Sequence, residues 1–313
     1  MEDTGVNELL AWYRANLTED YFAGAGGGLV RYAFQSRENA RGTIVILPGR
    51  TEFLEKYLEF CQDLQDCDYA IWVVDHFGQG GSGRPLKDPQ KGHIGDFGRY
   101  VEDIEQLLAR PEVGENRGPV VIIGHSMGAT IATLLAAACP RLVDGMILVS
   151  PMLQINTGPF LPPLLVETIC TIACVLGKSE NYVFGGGPFD PDLPFANNDL
   201  TSDPARFRRN LQFVQQNNSL ALGSPTFGWL RQAYRAMRAA RSRVRNITCP
   251  ILLFQGMDDR VVGLQEMVRF CDAAENGRII SYQGGRHELL MESDIIRTPL
   301  IETLRKRLKQ LCC

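Results

Sequence analysis

The chain has 313 residues, 45% of them hydrophobic, and a formal net charge of −4. This is enough apolar material for a large core in one elaborated domain, and the charge balance excludes a global positive field of the kind that holds nucleic-acid backbone. The most apolar window, Phe160 to Leu176, contains Pro162, Pro163 and Glu167 and falls short of the roughly 20 apolar residues a bilayer span needs, so it predicts a buried or interfacial helix.

From the N-terminus, Met1-Glu2-Asp3-Thr4-Gly5 is acidic and polar and leads into an amphipathic stretch, unlike the basic and apolar regions of a signal peptide. Gly24-Ala25-Gly26-Gly27-Gly28 reads as a flexible turn before a first strand. Short β-rich runs then alternate with helical patterns: Leu29 to Phe34, Thr43 to Leu47, Tyr69 to Asp75, Pro119 to Gly124, Gly145 to Ser150, Pro250 to Gln255 and Arg278 to Tyr282. That alternation predicts a mostly parallel sheet flanked by helices. Asp96 is placed to cap one of those helices, in which Phe97, Tyr100, Val101, Ile104, Leu107 and Leu108 recur on a single face.

The alternation stops between about Pro151 and Arg245, where the pattern becomes helical with joints such as Phe184-Gly185-Gly186-Gly187-Pro188. Residues 151–245 are therefore expected to be a helical cap inserted into a core of residues 1–150 and 246–313, sitting over the carboxyl ends of the strands, where open α/β sheets bind ligands. The apolar segment Leu161 to Ile169 either packs this cap onto the core or lines a tunnel for an acyl chain. Farther on, Arg231, Arg235, Arg238, Arg241 and Arg245 recur at helical spacing, as a solvated face or as a contact for an anionic membrane. Nine scattered cysteines, with no C-x-x-C pair, read as reduced thiols of a cytoplasmic protein, and Cys312-Cys313 as a frayed tail without a prenylation box.

The chemistry concentrates at Gly124-His125-Ser126-Met127-Gly128, which follows an apolar strand and precedes the helical run Ala129 to Leu135. A serine in a sharp strand-to-helix turn has its hydroxyl thrust out of the sheet, so Ser126 is the candidate nucleophile. It needs a base, itself oriented by a carboxylate. Of the four histidines, His125 sits beside Ser126 where adjacent side chains diverge, and His76 and His93 precede it. His287, in the loop after the strand ending at Tyr282, fits the order serine, acid, histidine. The acid is expected on Gly256-Met257-Asp258-Asp259-Arg260-Val261-Val262, where one aspartate faces the site and the other caps a helix or pairs with Arg260.

These segments, together with Asp75-His76-Phe77-Gly78-Gln79-Gly80-Gly81-Ser82, resemble the α/β-hydrolases of the bacterial lysophospholipase and monoacylglycerol lipase group. The resemblance runs from about Val30 to Leu308, and Gly92-His93-Ile94 is similar to another of the group's framework segments. It implies an α/β-hydrolase fold, selects Asp259 over Asp258 as the acid, and makes Asp75 to Ser82 a structural loop near the site. It also places the oxyanion donors at the backbone N–H groups of Met127 and Arg50, the latter in Leu47-Pro48-Gly49-Arg50-Thr51-Glu52. Pro48 and Thr51 depart from the group's frequent H-G-x-G form. The Arg50 side chain has two readings: a bidentate partner for a phosphodiester, or a structural partner of Glu52 or Glu55.

The expectation is a serine hydrolase of carboxylic esters of lipids, a lysophospholipase or monoacylglycerol lipase, with Ser126, Asp259 and His287 as triad and with no metal or organic cofactor. Lipid or another ester is the expected substrate, with peripheral contact at the inner face of an anionic membrane and no nucleic acid. The alternatives are a general carboxylesterase, a proline iminopeptidase-like enzyme or cofactor-free peroxidase, and a non-catalytic membrane-associated binding protein of the same fold. Serine at 126 argues against the aspartate-nucleophile branches of the fold.

Overall fold

The computed structural model describes residues 4–114, 118–158 and 161–311. Met1 to Asp3, Phe160 and the Cys312-Cys313 tail lie outside the described residues. In chain order the elements are α1 (Thr4–Asn16), β1 (Thr18–Ala23), β2 (Leu29–Gln35), β3 (Thr43–Leu47), α2 (Leu58–Asp63), β4 (Ala70–Val74), α3 (Gly98–Leu108), α4 (Pro111–Gly114), β5 (Val120–His125), α5 (Met127–Ala138), β6 (Gly145–Val149), α6 (Pro163–Val175), α7 (Pro204–Gln216), α8 (Phe227–Ser242), β7 (Ile251–Gly256), α9 (Leu264–Ala273), β8 (Gly277–Tyr282) and α10 (Asp294–Leu311).

Among the described residues eight strands form one sheet, ordered β1-β2-β4-β3-β5-β6-β7-β8. β2 runs antiparallel to both neighbours, and from β4 to β8 every pairing is parallel. The central strands are apolar on both faces because helices cover both. Along β3, Val45 and Leu47 enter one cluster while Ile44 and Ile46 enter the other, and Trp72/Val74 and Ile71/Val73 divide in the same way along β4. α3, α5, α8 and α9 pack on the first face; α1, α2, α7 and α10 pack on the second.

The structure corrects the start of the chain. The run Gly24 to Gly28 is the turn of a β1–β2 hairpin, closed by Gly24 N–H donating to Gly28 O and Gly27 N–H to Gly24 O, and is not a lead-in to the first strand. β1 escaped notice because only Phe22 of its six residues is buried, so the edge strand has almost no two-residue apolar period. Asp96 accepts from Gly98 N–H at 2.8 Å, but the helix begins two residues beyond it and Phe97, not Asp96, stands at its N-cap.

Between β6 and β7 the described residues form helices and turns and no sheet strand. α7 and α8 send Phe213, Val214, Trp229, Ala233 and Met237 into the same apolar clusters as the sheet. α6 stands apart, with a small cluster of its own formed by Cys170, Ala173 and Phe227. The apolar segment at its start neither packs inward nor lines a tunnel as a block, since Leu161, Leu164 and Leu165 are exposed. No helix of the described residues is long and apolar enough to cross a membrane, and the described cysteines are free thiols.

The antiparallel end of the sheet is tied to the parallel part by a buried ionic knot. The Arg31 guanidinium on β2 reaches Asp75 at 3.1 Å and Glu55 at 2.8 Å. The Asp75 carboxylate also accepts from Leu54 N–H and Gly81 N–H, each at 2.7 Å, and Ser82 Oγ donates to Asp75 O at 2.6 Å. Breaking one partner of a buried charge pair strands the other without water. Asp75→Ala is therefore expected to cost about 3–5 kcal/mol in urea unfolding, and a loss below about 1 kcal/mol contradicts this account of the knot.

Candidate active site

The site lies at the carboxyl ends of the parallel strands, on the loops after β3, β5, β7 and β8. Ser126 follows β5 directly, with φ 47° and ψ −109°, a backbone geometry that strains any residue with a Cβ. Neighbours hold it there. Ser126 N–H donates to Val149 O, and Ser126 O accepts from Thr130 N–H and Met152 N–H. A Cβ at Gly128 would lie 2.0 Å from Leu47 O, and one at Gly124 would lie 2.6 Å from Ala129 Cα. Only glycine lets strand, turn and helix close to this distance.

The turn points the Ser126 hydroxyl at His287, whose Nε2 lies 3.0 Å from Ser126 Oγ. His287 Nδ1 is 2.8 Å from Asp259 Oδ2, and the other Asp259 oxygen accepts from Val261 N–H and Val262 N–H. Asp258 is exposed, and Arg260 points outward with Asp199 3.9 Å away. A hydroxyl, an imidazole and a carboxylate so chained can take a proton from Ser126 Oγ while the carboxylate holds the ring in the required tautomer. The remaining histidines are elsewhere. His93 Nδ1 meets Thr226 Oγ1 at 2.8 Å, and His76 is buried, which pushes its pKa down to about 4.

Arg50 lines the cavity in front of Ser126, and Met127 follows Ser126 in the chain. Met127 N–H opens α5 and Arg50 N–H lies in the turn after β3, and neither donates to another described residue. Thr51 adopts φ 65°, a left-handed conformation that favours glycine. Gln79 Nε2 fixes this turn by donating to Gly49 O at 2.6 Å, so the Asp75 to Ser82 loop braces it.

Sequence reasoning missed a buried charge cluster that adjoins Ser126 and His287. Lys56 Nζ bridges Glu52 at 2.8 Å and Glu288 at 2.5 Å. Glu52 also accepts from Tyr57 Oη, from Gly49 N–H and at 2.9 Å from His125 Nδ1. The second His125 nitrogen lies 3.2 Å from His287 O, and the two rings are 4.9 Å apart. His125 thus faces away from the Ser126 hydroxyl yet supports the backbone of His287. Burial alone would lower the His125 pKa, but the Glu52 charge and hydrogen bond outweigh it and raise it above the usual imidazole value. Burial likewise opposes ionisation of Glu52, and His125 and Lys56 hold it well below the usual carboxylate range. The Glu52 and Lys56 pair at a four-residue step was the available signal, but it reads equally well as a surface pair.

These groups open onto a cavity of about 350 Å³, lined mainly by apolar atoms of residues such as Met152, Leu200, Trp229, Leu230 and Val262. Among the described residues no cluster of three or more His, Cys, Asp or Glu could hold a metal ion.

The family model described as serine aminopeptidase, S33, a hydrolase family, matches residues 38–294. The chain belongs to this family. It is 33% identical to lysophospholipase L2 of Escherichia coli over 91% of this chain and 86% of that protein. It is 25% identical to a monoacylglycerol lipase of Mycolicibacterium smegmatis over 88% of this chain and 92% of that protein. The fold matches a carboxyl esterase from Bacillus coagulans with TM-score 0.75 at 17% identity, covering 95% of this chain and 99% of that one. It also matches the monoacylglycerol lipase of Paleococcus ferrophilus with TM-score 0.68 at 17% identity, covering 94% and 99%. The architecture is the α/β-hydrolase fold, and the chain is a hydrolase of the S33 family.

The charge cluster sets a pH dependence. A histidine whose folded pKa is raised contributes stability that is complete below its unfolded value of about 6.5 and is lost as pH rises through the folded value. The stability advantage of the wild type over His125→Gln is therefore expected to shrink as pH rises above about 6.5 in urea titrations. An advantage that stays flat or grows over that range contradicts a charged His125.

Proposed function

We propose that this hydrolase cleaves the acyl ester of a single-chain glycerolipid, a lysophospholipid or monoacylglycerol, through an acyl-enzyme on Ser126. The observation that carries the reading is the chain of hydrogen bonds from Ser126 through His287 to Asp259 at the base of an apolar cavity. Ser126 Oγ attacks the ester carbonyl as His287 Nε2 takes its proton. Asp259 steadies the imidazolium through Nδ1. The tetrahedral oxyanion turns toward the N–H groups of Arg50 and Met127. Collapse expels the glycerol-side alcohol, protonated by His287, and leaves the acyl group on Ser126. A water, deprotonated by the same imidazole, then releases the fatty acid and restores the hydroxyl.

The S33 description also covers aminopeptidases, whose substrates carry an ammonium that calls for a free carboxylate. The cavity-lining carboxylates Glu52 and Glu288 are instead bound to Lys56, and Glu52 to His125 as well. Their engagement supports the ester reading. So do the names of the relatives, a lysophospholipase and a monoacylglycerol lipase.

Residues 151–245 act in this reading as the cap over the cavity, to which they contribute Leu200, Pro225, Trp229 and Leu230. α6 is the element that meets lipid. Leu164, Leu165, Ile172, Val175 and Leu176 lie on one face of it and are exposed, Val175 by 79%, while Cys170 and Ala173 on the opposite face are buried. An apolar helix face of this kind beside a lipid-cleaving site suits an interfacial position on a substrate membrane. The arginine stripe of α8 is a weaker support, because Arg238 binds Glu167 and Arg241 binds Leu153 O and Glu266.

Two outcomes are expected. Ser126→Ala lowers fatty-acid release at least about 10³-fold with the fold intact and abolishes labelling by a fluorophosphonate, whereas activity within tenfold of wild type removes the acyl-enzyme. Val175→Asp weakens co-sedimentation with lipid vesicles about tenfold, the worth of one buried aliphatic side chain, and unchanged sedimentation removes α6 as the lipid contact.

A further inference from the structure

Arg50 contributes more to the cavity than a backbone N–H. Arg50 lines the same space as Ser126 and His287, and the carboxylates nearest in sequence are already taken. Glu52 is held by Lys56, Tyr57 and His125, and Glu55 by Arg31. The structural reading of Arg50 as the partner of Glu52 or Glu55 therefore fails. Among the described residues no carboxylate lies within ion-pair distance of it. One N–H of the fork, on Nη1, donates to Gly223 O at 2.9 Å, and the guanidinium carbon stands 5.6 Å from the centre of the Trp229 ring. These contacts hold the fork in place and leave its other donors uncommitted.

The charges around it make this arrangement unusual. Glu52 and Glu288 are engaged by Lys56 and His125, and Asp259 by His287, so none of these carboxylates is paired with Arg50. Burial pushes its guanidinium down to about 10, which leaves it charged at neutral pH. A partly dehydrated cation without a counter-ion is a standing cost to the fold unless an anion arrives to meet it. A guanidinium, planar and forked, suits the two free oxygens of a phosphodiester.

We propose that the Arg50 side chain, held by Trp229 and Gly223, is an anion subsite that binds the head-group phosphate of a lysophospholipid and gives that substrate precedence over a neutral monoacylglycerol. The inference rests on the ester-hydrolase reading of Ser126. The substrate's acyl carbonyl and phosphate are separated by its glycerol backbone, so one residue meets both, the carbonyl through its N–H and the phosphate through its guanidinium. A neutral glyceride reaches the same carbonyl position and leaves the cation unpaired.

The test measures kcat/KM on lysophosphatidylethanolamine and on a monoacylglycerol with the same acyl chain, for the full-length wild type, Arg50→Gln and Arg50→Lys, with Ser126→Ala as blank. The wild type is expected to favour the phospholipid, and Arg50→Gln to lower the phospholipid-to-glyceride ratio about 10- to 100-fold, mainly through KM. Arg50→Lys should retain part of the ratio as a point charge without the fork. An unchanged ratio in Arg50→Gln overturns the subsite while leaving the ester hydrolase in place. Serine-dependent release from neither lipid overturns both readings. If Arg50→Gln loses activity on both lipids, competition against a soluble p-nitrophenyl ester in the wild type decides. Inhibition by glycerophosphoethanolamine supports the head-group subsite. Inhibition by inorganic phosphate alone, or by neither compound, overturns it.

Discussion

The strained turn at Ser126 is the constraint on which the rest of the site depends. A positive φ at a residue with a Cβ costs on the order of 1–3 kcal/mol and persists only where the surroundings over-determine it. Here β6 accepts the Ser126 N–H, the loop after β6 donates to its carbonyl, and two glycines let α5 approach the strands to distances no other residue permits. The turn can carry that strain because β5 lies inside a parallel sheet buried on both faces. A hydroxyl on an ordinary loop would not be aimed so closely at one imidazole.

Four loops must meet at this point, and the buried charges explain how they stay in register. Glu52 follows β3, His125 ends β5 and Glu288 follows His287 on the loop after β8, and Lys56 draws the two carboxylates together. His125 then meets the carbonyl of His287. His287, the proposed base, is thus positioned from behind by a network in which each buried charge has a hydrogen-bonded partner, which is how a dry site tolerates such groups. The Asp75 loop does related work on the other side. It ties β2 to β4 through Arg31 and, through Gln79, steadies the turn that carries Arg50.

The helical stretch between β6 and β7 divides into parts with different jobs. α7 and α8 finish the two apolar clusters and are part of the core in the energetic sense. α6 rests on α8 through small residues and turns its large aliphatic side chains to solvent. In water alone such a face costs free energy, since apolar surface is left hydrated. Beside a cavity proposed to receive lipid chains, it is the proposed contact with them.

Much of this was legible in the chain itself. Central strands announce themselves because burial on both faces demands uninterrupted β-branched and aliphatic runs, and the turn at Ser126 does so because its geometry demands small residues at fixed spacing. Local physics governs those features, so local sequence carries them. β1 was not legible, because an edge strand facing water needs no apolar period, and neither was the outward face of α6, because an apolar helix has the same pattern whether it is buried or exposed. Whether Asp258 or Asp259 meets His287, whether His125 supports or competes with it, and whether Arg50 finds a carboxylate are questions about side chains separated by tens to hundreds of residues. Each such pairing is decided by which partner another group has already claimed, and only the folded chain brings the claimants together.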